Sequence, residues 1–392
     1  MATLQDLRVL DLGQGVAGPF CARLLGDCGA DVIKIEAPRG GDSTRHNGEF
    51  SSDATLSDVS PLYVYLNQNK RGVSLDIFTA TGRDLLKRLV EKADIVIESF
   101  PPGTLDRAGL AYHVLAAVNP GVVLVSITNF GQTGPYRNWP ASHLTLSALG
   151  GWMHMTGDHE REPLQVGFPI LYYVAGLFGA TGALAAIQGR DKDGQGQHVD
   201  VSVMDVCLNL QYPKLVDSFG GPPPRRRIIF PMYVRAKDGW AAVNAISPQH
   251  WQSACLLMDM ADVLADQELV YNILKRDQLR PQLEARANDW AKEKTCYEIF
   301  YAGQELRIPT GLPYTPAEMM ECPQLLAREF FEKLSQPGLG EFMQPRSGFR
   351  SPSLRTERAQ APRLGEHNQE VFSSELGLEQ EDMAGLRSAG VI

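Results

Sequence analysis

Cysteine is scarce and scattered: six residues (Cys21, Cys28, Cys207, Cys255, Cys296, Cys322) in 392, with no CxxC pair and no His/Cys group at zinc spacing. That excludes a disulfide scaffold and a structural zinc module, and leaves reduced thiols as the expectation. No long basic stripe offsets a formal charge of -9, so no nucleic-acid or anionic-membrane partner is expected. The run Arg225-Arg226-Arg227 after Pro222-Pro223-Pro224 is local and reads as a solvated loop. The N-terminus has no basic segment leading into an apolar core, which makes the cytoplasm the expected compartment. Charge is also missing from Val166 to Ile187, a stretch long enough to span a bilayer. Gly167, Pro169, Gly176, Gly179 and Gly182 dilute its hydrophobicity, and glycines three apart suit close helix packing in a protein interior, so no membrane span is expected.

What is present is alternation. Leu7 to Leu12 reads as a buried strand, Pro19 to Gly29 as a helix, Asp31 to Glu36 as a strand, Thr81 to Lys92 as a helix with Leu85, Leu86, Leu89 and Val90 on one face, and Ile95 to Ile97 and Val122 to Ile127 as strands. A helix over Tyr173–Gln188 and a strand over His198–Val203 follow. The expected fold is α/β, a Rossmann-like parallel sheet with helices on both faces and a ligand at the strand carboxyl ends. Phe219 to Pro224 is a Gly/Pro linker. Beyond it, a hairpin from Ile228 to Val243 turning at Lys237-Asp238-Gly239 and helices from Gln249 to about Tyr301 suggest a small α+β domain. The expected boundaries are 1–218 for the first part of the large domain, 219–305 for the small domain, and 306–392 for a segment returning to the large one.

Gly13-Gln14-Gly15-Val16-Ala17-Gly18 fits GxGxxG between a strand and a helix, and Glu36 ends the next strand, which is the layout of a dinucleotide site. The same glycines also serve a tight strand-to-helix turn. Both readings stand on these residues alone.

Several segments in order resemble the class III CoA-transferase family, which includes the acyl-CoA racemases. They are Val16-Ala17-Gly18-Pro19-Phe20, Gly29 to Glu36, Gly40 to Arg45, Asn67-Gln68-Asn69-Lys70-Arg71, Ala93 to Gly103, Leu105 to Gly109, Phe130 to Tyr136, Gly194 to Ser202, and Pro362 to Asn368. The resemblance spans nearly the whole chain and is least typical over 219–305. It implies two interlocked chains forming a dimer, with coenzyme A or an acyl-CoA as substrate and no tightly bound cofactor. Carried over by position, the CoA wall comprises Val16, Leu75, Asp76, Ser99, Phe100 and Arg107. Arg39, Arg45, Lys70 and Arg71 are further candidates for phosphate contact.

Where the family places its nucleophilic aspartate, after the segment resembling Val166 to Leu171, this chain has Tyr172. The aspartate carries CoA as an enzyme thioester on its own carboxyl carbon, and a phenol has no such carbon. His143 lies one position from the place of the racemase histidine, here Ser142, and His154 is a second imidazole nearby; both are candidates for bonding an acyl group. Asp158, Glu160 and Glu162 are the neighbouring acids that could substitute. A chain of this kind resembles the aspartate-lacking subunit of two-subunit members such as the succinyl-CoA:benzylsuccinate CoA-transferases of anaerobic aromatic degradation. The implied partner is a homologous subunit that supplies the aspartate, with acyl-CoA and a carboxylic acid as substrates. A homodimeric CoA-ester enzyme with different chemistry and an inactive CoA-ester-binding protein remain open alternatives.

Overall fold

The computed structural model describes residues 3–47, 60–157, 161–211, 219–220, 233–351 and 358–392. The run Arg225-Arg226-Arg227, the acids Asp158 and Glu160, and the start of the expected hairpin lie outside them.

Six parallel strands form the main sheet: β1 (Arg8–Asp11), β2 (Asp31–Glu36), β3 (Lys70–Ser74), β4 (Ile95–Glu98), β5 (Val123–Thr128) and β6 (His198–Ser202). Their spatial order is β3-β2-β1-β4-β5-β6. The chain builds outward from β1 in one direction and then restarts at β4 beside it, so the switch point falls between β1 and β4. Helices α1 (Ala17–Asp27), α2 (Pro61–Asn67), α3 (Ala80–Val90), α4 (Thr104–Arg107), α5 (Tyr112–Val118), α6 (His143–Leu149), α7 (Trp152–Met155) and α8 (Ile170–Asp193) lie in the connections, and α9 (Val203–Asn209) follows β6. One apolar core forms around Leu10, Ile33, Val73, Leu86 and Val96. The other gathers Val9, Val32, Ile95, Val125 and the buried side of α8. Strands with both alternating faces buried need apolar residues at successive positions, and Val9-Leu10 and Ile95-Val96-Ile97 supply them.

β3 was not among the expected strands. Its first residues carry charge, which the fold neutralises internally: Lys70 Nζ pairs with Asp11 at 2.7 Å, and Arg71 pairs with Asp31 at 2.7 Å and with Glu370 at 2.8 Å. The C-terminal segment closes over the same strand. Ser74 N–H donates to Asn368 Oδ1 at 2.9 Å, and Asp76 N–H donates to the Val391 carbonyl at 2.8 Å.

α8 is long and apolar enough to cross a membrane, yet it packs in the interior against α1. A Cβ on Gly176 would lie 2.7 Å from the Ala17 carbonyl oxygen, and one on Gly179 would lie 2.8 Å from Ile127 Cδ1. Gly176 therefore sets the close approach of α8 to α1, and Gly179 that of α8 to β5. The helix runs on through Gly189 to Asp193 and stops at Gly194, whose φ of 75° is the left-handed cap that glycine adopts freely. Its other side leaves Leu177, Phe178 and Leu184 exposed.

The second compact unit comprises the described residues within 157–163 and 225–331, and the chain returns to the first unit at Glu332. Strands β7 (Tyr233–Arg235) and β8 (Trp240–Val243) form the expected hairpin, and β9 (Thr310–Gly311) adds a third antiparallel strand. Helices between Pro248 and Glu305 pack on it around Trp251, Val270 and Ile299.

Candidate functional site

A cleft of about 770 Å³ opens at the carboxyl ends of β1, β4 and β5, at the switch point. Its floor is the turn Gln14–Ala17. One wall is Ser99–Pro102 with Arg107, the other is Ile127–Asn129 with Arg137–Ala141, and Tyr172 at the head of α8 and Val203 complete it.

The glycine turn is shaped by contact between its own ends. A Cβ on Gly13 would sit 2.8 Å from Gly18 Cα, and one on Gly18 would meet Gly13 Cα at the same distance. Gly15 takes φ +69°. The first three amides of the turn are already engaged: Gly13 N–H donates to Asp11 Oδ1 at 2.9 Å, Gln14 N–H to Ser99 Oγ at 2.8 Å, and Gly15 N–H to Asp42 Oδ1 at 3.3 Å. A dinucleotide pyrophosphate needs such amides free. Glu36, the residue that would bind the ribose, is 1% exposed. It accepts two bonds from Arg45, at 2.9 Å and 2.6 Å, and one each from Asp42 N–H and the Tyr63 hydroxyl. With Glu36 and the turn's first three amides occupied inside the fold, the motif serves as a structural turn and lacks the free carboxylate a dinucleotide ribose requires.

The expected phosphate contacts differ in the partners they already have. Lys70 Nζ gives its three donors to Asp11, Pro19 O and Asn67 Oδ1 at 2.7–2.9 Å, and burial pushes its pKa down to about 8. Arg45 belongs to Glu36, and Arg71 to Asp31, Glu370 and Glu375. Arg39 is exposed in the turn after β2. Of the expected CoA wall, Val16, Ser99, Phe100 and Arg107 meet in the cleft together with Tyr172. Leu75 does not; it is 2% exposed and packs in the core. Asp76 lies outside the lining too, its Oδ1 accepting from Phe78 N–H at 2.9 Å. The Phe78 ring then packs edge-on against Phe100, 6.2 Å between centroids.

Tyr172 is half-buried, which raises its pKa and keeps the phenol protonated. Its ring centroid lies 6.2 Å from that of His143. His143 is buried at the first turn of α6, where Ser142 supplies the cap. Its Nδ1 lies 2.6 Å from Gln165 Nε2, and burial lowers its pKa. His154 on α7 is exposed. Glu162 is exposed as well and sits 3.5 Å from Arg161. None of these three lines the cleft.

No aspartate or glutamate lines the cleft among the described residues, whereas Arg107 and Arg137 do. Its lining offers two guanidinium groups and the side-chain amides of Gln14, Asn129 and Asn138. The contribution of residues 127–141 was not foreseen. The signal available was the segment Phe130 to Tyr136, whose continuation Arg137-Asn138-Trp139 forms the wall.

Residues 4–368 match CoA-transferase family III. The chain belongs to that family. Among curated relatives, succinyl-CoA--D-citramalate CoA-transferase of Chloroflexus aurantiacus is 34% identical, over 99% of this chain and 98% of that protein. Formyl-CoA:oxalate CoA-transferase of Streptomyces coelicolor is 32% identical, over 99% of both. The alpha subunit of succinyl-CoA--L-malate CoA-transferase from Chloroflexus aurantiacus is also 32% identical, over 99% of this chain and 92% of that one. A crystal structure of a CaiB/BaiF family protein from Brucella suis superposes with a TM-score of 0.84 at 29% identity, covering 95% of this chain and 99% of the other.

Proposed function

We propose that this chain is the non-catalytic subunit of a heteromeric class III CoA-transferase: it holds a CoA ester in the cleft, and a homologous partner subunit supplies the catalytic aspartate. The observation that carries the reading is Tyr172 at the head of α8, in a cleft lined by two arginines and no carboxylate among the described residues. In a class III transfer the enzyme's own carboxyl becomes first a mixed anhydride and then a thioester to CoA, before CoA passes to the acceptor acid. Acylated tyrosine is an ester whose oxygen cannot become the acyl carbon of an enzyme–CoA thioester.

Three further features support the reading. Leu177, Phe178 and Leu184 leave an apolar stripe on α8 of the kind that another chain covers. A relative of similar length is named as an alpha subunit. Arg107 suits a CoA phosphate, with Val16, Ser99 and Phe100 beside it. Relatives named for succinyl-CoA point to that donor and to a dicarboxylic acceptor, of which benzylsuccinate is one.

The test is to purify the chain alone and co-expressed with an aspartate-bearing homologue. Succinyl-CoA-dependent transfer is expected only from the mixture. Borohydride trapping during turnover should modify the partner's aspartate and leave Tyr172 intact. Turnover by the single chain, with CoA thioesterified to one of its own acids, overturns the proposal.

A further inference from the structure

Glu98 ends β4 immediately before the Ser99–Phe100 wall and is 4% exposed. Its Oε2 accepts from the Phe100 N–H at 2.7 Å, and its Oε1 lies 3.4 Å from the donor Gln132 Nε2. Burial favours its protonated form, hydrogen bonds from Ser126 and the Phe100 N–H favour the carboxylate, and the carboxylates of Asp200 on β6 and Asp106 on α4 add to the effect of burial. A buried carboxylate near like charges favours its protonated form. A second cavity of about 360 Å³ reaches this carboxyl, and Pro101 and Arg137 line both spaces. The groups facing Glu98 there include Ser126, with Oγ 2.9 Å from His198 Nε2, and the α5 residues Tyr112 and His113; the Tyr112 ring stacks on His198 at 5.7 Å. Burial lowers the His198 pKa, which keeps the imidazole neutral at pH 7.

We propose that Glu98 is a positioning residue that holds the Ser99–Phe100 wall and takes up a proton when an anionic ligand occupies the cleft. The inference rests on the reading that CoA esters bind there. A polyanion settled against Ser99, Phe100 and Arg107 disfavours a carboxylate one residue behind the wall. The proton comes from bulk water through the second cavity. It adds to the carboxylate, which still accepts from Phe100 and gains an O–H to donate; no bond in the ligand changes. Burial pushes the Glu98 pKa up to about 7, so the uptake falls near neutral pH.

Isothermal titration of the full chain with CoA, in phosphate and in Tris buffer, measures the coupled protons. Wild type should take up a fraction of a proton at pH 7.5 that Glu98→Gln does not, with dephospho-CoA giving the same difference. From pH 6 to pH 8.5 the wild-type Kd should rise about tenfold while the variant stays flat at the low-pH affinity. Equal proton uptake in both proteins, or a loss of affinity in the variant that is the same at every pH, overturns the coupling. If Glu98→Gln does not fold, the infrared difference spectrum of wild type on adding CoA decides: a new protonated-carboxyl band supports the inference, and its absence refutes it. Failure of wild type to bind CoA at all would sink the underlying reading as well, whereas binding without proton uptake removes only this inference.

Discussion

Glu36→Gln tests the argument that excluded a dinucleotide. The substitution keeps size and one acceptor but removes the charge, leaving the Arg45 guanidinium 3% exposed with the Tyr63 hydroxyl at 2.5 Å and Pro362 O at 3.1 Å as neutral partners. Removing one partner of a buried ion pair costs about 3–5 kcal/mol. The retained amide oxygen can still accept from Asp42 N–H, a bond of 2.8 Å in the native protein, returning about 1 kcal/mol. The net expectation is a loss of about 2–4 kcal/mol, a large share of a typical total of about 5–15 kcal/mol. In urea denaturation followed by circular dichroism, with an m-value of about 3 kcal/mol/M, the midpoint should fall by about 1 M. Arg39→Gln, at an exposed turn residue, should leave it in place. Replacing both Glu36 and Arg45 by Met should recover much of the loss, because no unpaired charge is then buried. An unchanged midpoint for Glu36→Gln, together with saturable binding of NAD by the wild type that the variant loses, would refute the reasoning and return Glu36 to a ribose.

Gly18→Ala places a Cβ 2.8 Å from Gly13 Cα and 3.4 Å from Ser99 Oγ; this overpacking should cost about 1–3 kcal/mol, read as a lower thermal midpoint, and should weaken CoA binding by displacing Ser99. Because burial raises the Glu98 pKa to about 7 in the folded protein from the ordinary glutamate value of 4.5, the native state holds the extra proton between those values and stability falls as pH rises through them. Glu98→Gln should therefore stabilise the chain by about 3 kcal/mol at pH 8 and by almost nothing at pH 4.5, checked by urea midpoints at both pH values. Tyr172→Phe should leave turnover of the mixed enzyme within about twofold of wild type, since the phenol is assigned no proton or acyl transfer; a loss of a hundredfold in kcat would give the hydroxyl a chemical role.

The apolar strands were legible because each is a short run of Val, Ile and Leu between turn signals, and the β-α-β rhythm points to a parallel sheet. β3 was not, because Lys70 and Arg71 look solvent-facing until Asp11, Asp31 and Glu370 are brought to them from far along the chain. The same blindness made Lys70, Arg71 and Arg45 resemble phosphate ligands: a sequence shows a charge but not its partner. Tyr172 and the Ser99–Phe100–Arg107 wall were readable from motifs. The wall at residues 137–141 was not, since it is an irregular segment with no periodicity. Glu98, Ser126 and His198 sit on three neighbouring strands, and only the sheet order makes them a cluster.

Tyrosine in place of an aspartate changes more than the nucleophile. Tyr172 is the third residue of a 24-residue helix, and a carboxylate there would offset the positive end of the helix dipole. A protonated phenol leaves that end uncompensated, in a cleft that also holds Arg107 and Arg137. A tyrosine here in place of a carboxylate therefore strengthens the field that attracts an anion. On the proposed reading, that field serves to hold a CoA ester while the reacting carboxyl comes from another chain.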